Sequence, residues 1–137
     1  MQKISNDELI CMRMFYDATG VESLDCIIAE EGVAFMVPRG LMGKAIGKGG
    51  SNMQRLRSKI NRNVFLFEQP EDEEEFVKKS LNVESPQLQE QERNNKKVIY
   101  VKLNASDKYS MKRGIVVTFA RELFSRIFGK ELKLQTQ

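Results

Sequence analysis

Leu41-Met-Gly-Lys-Ala-Ile-Gly-Lys-Gly-Gly-Ser-Asn-Met53 sets a glycine turn, with a lysine at its tip, between two apolar segments. Glycine lacks a Cβ, so a turn made of Gly47, Gly49 and Gly50 can take positive φ and bring its N–H groups close to an anion. A helix that follows would present its first N–H groups to the same anion. The segment therefore reads as a backbone clamp for a phosphodiester. Gly47 and Gly50 are the expected backbone contacts, and Lys44 and Lys48 the expected phosphate neighbours. Asn52 is placed to hydrogen-bond backbone or base, and Arg55 lies one helical turn further on.

Other phosphate loops fail on spacing. A Walker A loop would need glycine at position 42 and Ser or Thr at position 49, where Met42 and Gly49 stand. The dinucleotide pattern would need glycine where Asn52 stands. The charge around the turn points the same way. From Gly32 to Phe67 there is no Asp or Glu, while Arg39, Lys44, Lys48, Arg55, Arg57, Lys59 and Arg62 all fall inside. Folded surfaces ordinarily mix the two signs, so this window is a local positive field in a chain whose net charge is only +3.

Composition narrows the function further. At 137 residues and 41% apolar content the chain can bury one medium core or two small ones. It has no histidine, and its two cysteines, Cys11 and Cys26, form no C-x-x-C pair. Zinc sites built on Cys and His are thereby excluded, as are Ser-His-Asp and Cys-His catalysis. The acidic run Glu71–Glu75 has no EF-hand spacing and reads as a solvated helix start. We expect no metal, no cofactor and no enzyme activity. No apolar run reaches the roughly 20 residues of a membrane helix, and the start turns acidic at Asp7 and Glu8. A cytoplasmic protein with reduced thiols, not anchored in a membrane, is expected.

Along the chain, Ser5 or Asn6 can cap a helix that Gly20 stops. Leu24–Ala29 and Val33–Val37 form a hairpin around Glu30-Glu31-Gly32, and Leu41–Ile46 a short helix before the turn. Met53, Leu56 and Ile60 recur at helical spacing, and Val64–Phe67 reads as a strand. The order is α-β-β-α-α-β. After Pro70 it begins again, with a capped acidic helix from Glu71 to Leu81 and a weak edge strand within Ser85–Lys97 turning at Asn94-Asn95. A strand at Val98–Leu103, a long helix Ile115–Phe128 and a last strand at Leu132–Leu134 complete it. In the long helix Val116, Ala120, Leu123, Phe124 and Ile127 are assigned to the core side. Sliding Gly114 onto Gly50 puts Val117 on Met53, Ala120 on Leu56 and Arg121 on Arg57, the mark of an internal repeat. Phe15, Tyr16, Phe35, Phe65 and Phe67 are for the most part core aromatics rather than base-stacking platforms.

Gly47-Lys48-Gly49-Gly50 fits G-x-x-G, the loop of KH modules. With the tandem α-β-β-α-α-β order it resembles type II KH domains, specifically those of archaeal NusA-like transcription termination and antitermination factors. The resemblance implies an α/β (α+β) fold of two tandem KH domains, residues 1–69 and 70–137, each a small three-stranded sheet covered by helices. It implies a monomer that binds single-stranded RNA, with the transcription elongation complex as a further partner. Gly47, Lys48, Gly49 and Gly50 would clamp RNA, followed by Ser51 and Asn52, with Ile46 and Met53 lining the groove. The second unit departs from the pattern. Met111-Lys-Arg-Gly114 lacks the leading glycine, so Lys112 and Arg113 either supply a weaker contact by charge or belong to a mainly structural unit. A KH protein of ribosome assembly or of another RNA-processing complex is the alternative implied by the same fold.

Overall fold

A computed structural model describes residues 4–135. The outermost ends of the two expected domains, residues 1–3 and 136–137, lie outside the described residues. The chain separates into two compact units that meet at Gln69 and Pro70.

In the first unit, helix α1 spans Asn6–Thr19. Its start is a reciprocal capping box: the Glu8 N–H donates to Ser5 Oγ at 3.2 Å and the Ser5 N–H donates to Glu8 Oε1 at 2.9 Å. Gly20, at φ 74°, ends it by donating its N–H to the Tyr16 carbonyl at 2.8 Å. Strands β1 (Asp25–Ala29) and β2 (Gly32–Val37) form an antiparallel hairpin, and β3 (Val64–Glu68) pairs parallel to β2. The two units of backbone between β2 and β3 are the short helix α2 (Met42–Ile46) and helix α3 (Ser51–Ile60), joined by a single 3₁₀ turn, Lys48–Gly50. Gly32 is obligatory where β2 begins, since a Cβ there would stand 2.7 Å from the Asn63 carbonyl oxygen.

β2 is the central strand and all six of its residues are buried. Its Val33, Phe35 and Val37 share one face and pack with Phe15 of α1 and with Met53 and Leu56 of α3. The Phe15 and Phe35 rings stack at 4.6 Å between centroids. Both cysteines are free thiols in this layer, and burial pushes the Cys11 thiol above its ordinary pKa.

The second unit repeats the order. Helix α4 (Glu73–Leu81) is capped by Asp72, whose Oδ1 accepts the Glu75 N–H at 2.8 Å, and three glutamates occupy its positive end. Strands β4 (Gln87–Arg93) and β5 (Lys96–Lys102) are antiparallel, and β6 (Glu131–Gln135) pairs parallel to β5. Asn94 and Asn95, at φ 52° and 64°, make the two-residue turn of the hairpin. Helices α5 (Ala105–Ser110) and α6 (Ile115–Phe128) complete it. Each unit is thus a three-stranded sheet packed with helices, and the chain is of mixed α/β class with two KH-like folds in succession.

Two assignments change. The core face of α6 is Phe119, Ala120, Leu123 and Phe124, whereas Val116 is half-buried and Ile127 is 42% exposed. A 14-residue helix is about 21 Å long and overruns the roughly 17 Å of a five-residue strand, so residues near its ends lose their cover. Helix α5 has no apolar stripe to reveal it in sequence; it exists because Asn104 caps it, its Oδ1 accepting the Asp107 N–H at 2.8 Å.

Candidate nucleic-acid interface

The glycine turn joins two helices, and its backbone follows from that task. Gly47 sits at φ 78°, ψ 166°, a conformation open in practice only to glycine. A Cβ at this position would lie 2.7 Å from Asn52 Cγ. Gly49 (φ 63°, ψ 21°) and Gly50 (φ 77°, ψ 15°) are left-handed, yet a Cβ at either would meet nothing within 4 Å. Gly47 therefore carries the packing of the turn, while Gly49 and Gly50 keep an open outer face. Within the turn the Gly50 N–H bonds the Gly47 carbonyl at 3.1 Å and the Ser51 N–H bonds that of Lys48. The first N–H groups of such a turn, those of Lys48 and Gly49, have no carbonyl inside it to bond. Helix α3 follows with glycine as its N-cap, no side-chain cap and no acid in its first turn, so its positive end is uncompensated.

The residues assigned from sequence fall into two groups. Lys48, Gly49 and Ser51 are exposed at the tip, Ile46 stands beside them at 39% exposure, and Gly47 and Gly50 are half-buried. These come together as one surface. Met53, by contrast, is 7% exposed and packs in the core cluster, where it anchors α3. Asn52 is half-buried and its Nδ2 donates to the Lys44 carbonyl at 3.0 Å, closing α2 onto α3 across the turn. Arg55 and Lys44 both reach the C-terminal end of α1. The Arg55 guanidinium donates to the Ala18 carbonyl at 3.2 Å, and Lys44 lies over Gly20, where a Cβ would stand 3.6 Å from its Cε. Helix α1 has no basic residue in its last turn, so these two cations complement its negative end while remaining exposed to solvent.

The positive window is electrostatically open. Among the described residues no carboxylate forms an ion pair with Lys44, Lys48, Arg55, Arg57, Lys59 or Arg62. Several cations outside the window are paired: Lys130 contacts Glu73 at 2.8 Å and Glu90 at 2.6 Å, and Arg126 contacts Glu122 at 3.2 Å. The Glu90 carboxyl is held below its ordinary pKa by the hydrogen bond from Lys130.

Lys112 and Arg113 belong to the equivalent loop of the second unit, which is built differently. Met111, at φ −64°, stands where the first unit has Gly47, and only Gly114 keeps a positive φ, of 68°. The loop is tied down from behind. The Lys112 N–H donates to the Leu81 carbonyl at 2.9 Å, Asn82 Nδ2 to the Ser110 carbonyl at 3.1 Å, and the Arg113 guanidinium to the Lys108 carbonyl. Asp107, 3% exposed, accepts the Glu84 and Ser85 N–H groups at 3.0 Å each. Sequence reasoning missed Asp107, whose only local sign is its place three residues after an N-cap asparagine.

A family profile described as a KH domain matches residues 13–107, from within α1 to within α5. The chain belongs to the KH domain family. Over 76 residues this KH chain is 33% identical to the probable transcription termination protein NusA of Methanocaldococcus jannaschii, covering 56% of this chain and 42% of that protein. It therefore spans less than half the length of that relative. The protein of the same name from Halobacterium salinarum aligns over 92% of both chains at 28% identity. A crystal structure of a protein named APE1850 superposes with a TM-score of 0.81 at 30% identity, covering 96% of this KH chain and 100% of that one. KH modules bind nucleic acid through a G-x-x-G loop, and between α2 and α3 this chain has Gly47-Lys48-Gly49-Gly50. No helix among the described residues is long and apolar enough to cross a membrane.

Proposed function

We propose that this KH chain binds single-stranded RNA in transcription termination or antitermination, as a cytoplasmic monomer acting on the transcription elongation complex. Its primary contact is the phosphodiester backbone at Gly47–Gly50. One observation carries the reading: Gly49 and Gly50 leave an open face beside the unpaired Lys48, at the uncompensated N-terminus of α3. The N–H groups of the turn donate to phosphate oxygens, Lys48 supplies charge at the tip, and Ser51 and Ile46 border the strand's path. Lys44 and Arg55 serve both the α1 terminus and the phosphates. Relatives named for transcription termination support the process; KH architecture supports the ligand.

The test is titration of fluorescein-labelled single-stranded RNA into the wild type and into the Lys48→Asp/Gly49→Asp double variant, at several salt concentrations. Position 49 is preferable to 47 because a Cβ added there meets nothing within 4 Å, whereas at 47 it would collide with Asn52. Wild-type affinity should fall as salt rises, since bound phosphates release counterions. The double variant should lose about 10- to 100-fold, the worth of one or two charge-assisted hydrogen bonds. Undiminished binding by the variant removes the clamp, and no binding by the wild type removes the RNA reading altogether.

A further inference from the structure

Tyr109 is 92% exposed, the most exposed of the large apolar or aromatic side chains that stand out from the surface. The other tyrosines are accounted for by the fold. Tyr100 is half-buried on β5 with its hydroxyl accepting from Arg93 at 2.9 Å, and Tyr16 keeps about half its surface covered on α1. Tyr109 has no hydrogen-bond or ring partner among the described residues, and packing gives no reason for an aromatic there. Its surroundings do. It lies on α5 immediately before the second loop, with Lys108, Lys112 and Arg113 as neighbours, and no carboxylate among the described residues pairs with any of the three. The nearest acid in sequence, Asp107, is turned inward onto the Glu84 and Ser85 N–H groups. The segment is also held in place, through Asn82 on Ser110 and Leu81 on Lys112. A solvated ring on a fastened segment, among cations without a carboxylate partner, is the pattern of a stacking platform for single strands.

Building on the RNA reading above, we propose that the second unit is a base-contact site of a different kind from the first: a nucleobase stacks on the Tyr109 ring while Lys112 and Arg113 hold the flanking phosphates. The first loop grips backbone by closeness, which the second cannot do with Met111 and Arg113 in place of glycines. An aromatic face substitutes for it, and accepts any base because every base has a π-face.

The experiment measures binding of fluorescein-labelled oligouridine to the full chain carrying Tyr109→Ala, Tyr109→Phe or Lys112→Ala/Arg113→Ala, over a salt series beside the wild type. Tyr109→Ala should weaken binding by about 5- to 150-fold, the range for one base–aromatic stack. It should do so with the salt slope unchanged, because stacking releases no counterions, while the Lys112/Arg113 variant should lower the slope. Tyr109→Phe keeps the ring and should bind as the wild type does. Thermal melts should be unaltered by either Tyr109 change, since the side chain covers nothing. Wild-type affinity in Tyr109→Ala, with binding still dependent on the first loop, overturns the stacking site and leaves the RNA reading standing. A wild type that binds no RNA overturns both.

Discussion

The loops at Gly47–Gly50 and Met111–Gly114 occupy the same place in two repeats of one fold, yet they solve different problems. The first is open in front: two left-handed glycines with nothing beyond them, a free lysine, and a window without acid. The second is secured behind: a non-glycine at its head, a buried aspartate and three further hydrogen bonds, Lys112 to Leu81, Asn82 to Ser110 and Ser110 to Asn82, that fasten it to the end of α4 and the connection after it. Two different sequences can form one fold because its core depends on apolar pattern, which many residues satisfy. A backbone clamp depends on the absence of side chains at a few positions, and any substitution there removes it. The lesson is that the fold tolerates divergence where the site does not.

This contrast can be broken at its strongest point by Asp107→Ala, which leaves the Glu84 and Ser85 N–H groups without their acceptor. Two hydrogen bonds to a carboxylate are lost, so unfolding by urea should show a loss of about 3 kcal/mol. An unchanged midpoint would mean that the second loop is not fastened as described. Next, the glycines of the first loop should separate stability from binding. Gly47→Ala should cost about 2–3 kcal/mol from a glycine-only conformation and collision with Asn52. Gly49→Ala should cost about 1 kcal/mol while impairing RNA binding, because its methyl group enters the open face. If both variants destabilise alike, the division of labour within the turn is wrong. Smallest is the effect of Lys112→Asp/Arg113→Asp, for which less than a tenfold loss of RNA affinity is expected, roughly 1.4 kcal/mol at most. A loss equal to that of Lys48→Asp/Gly49→Asp would make the two loops equals.

Much of this was legible in the residues. The capping box at Ser5 and Glu8, the Asn94-Asn95 hairpin, the G-x-x-G and the acid-free window are local patterns, and local patterns report on local backbone and local charge. They sufficed for the element order apart from α5, for the repeat and for the position of the candidate clamp. They did not separate Gly47, which packs on Asn52, from Gly49, which faces solvent, since both are glycines in one turn. Nor did they show that the Arg55 guanidinium also reaches the Ala18 carbonyl 37 residues away, or that the Met53 side chain is in the core.

What the chain states on its own is where helices start and stop, where its backbone can take positive φ, and where positive charge goes unopposed. Each of these depends on neighbours within a turn or two. Which face of α6 is covered, why α5 exists, which cations are already engaged, and that Tyr109 is left outside were settled in three dimensions. Those properties depend on partners brought close by folding, and pairing across 20 to 40 residues leaves no periodic trace in the sequence.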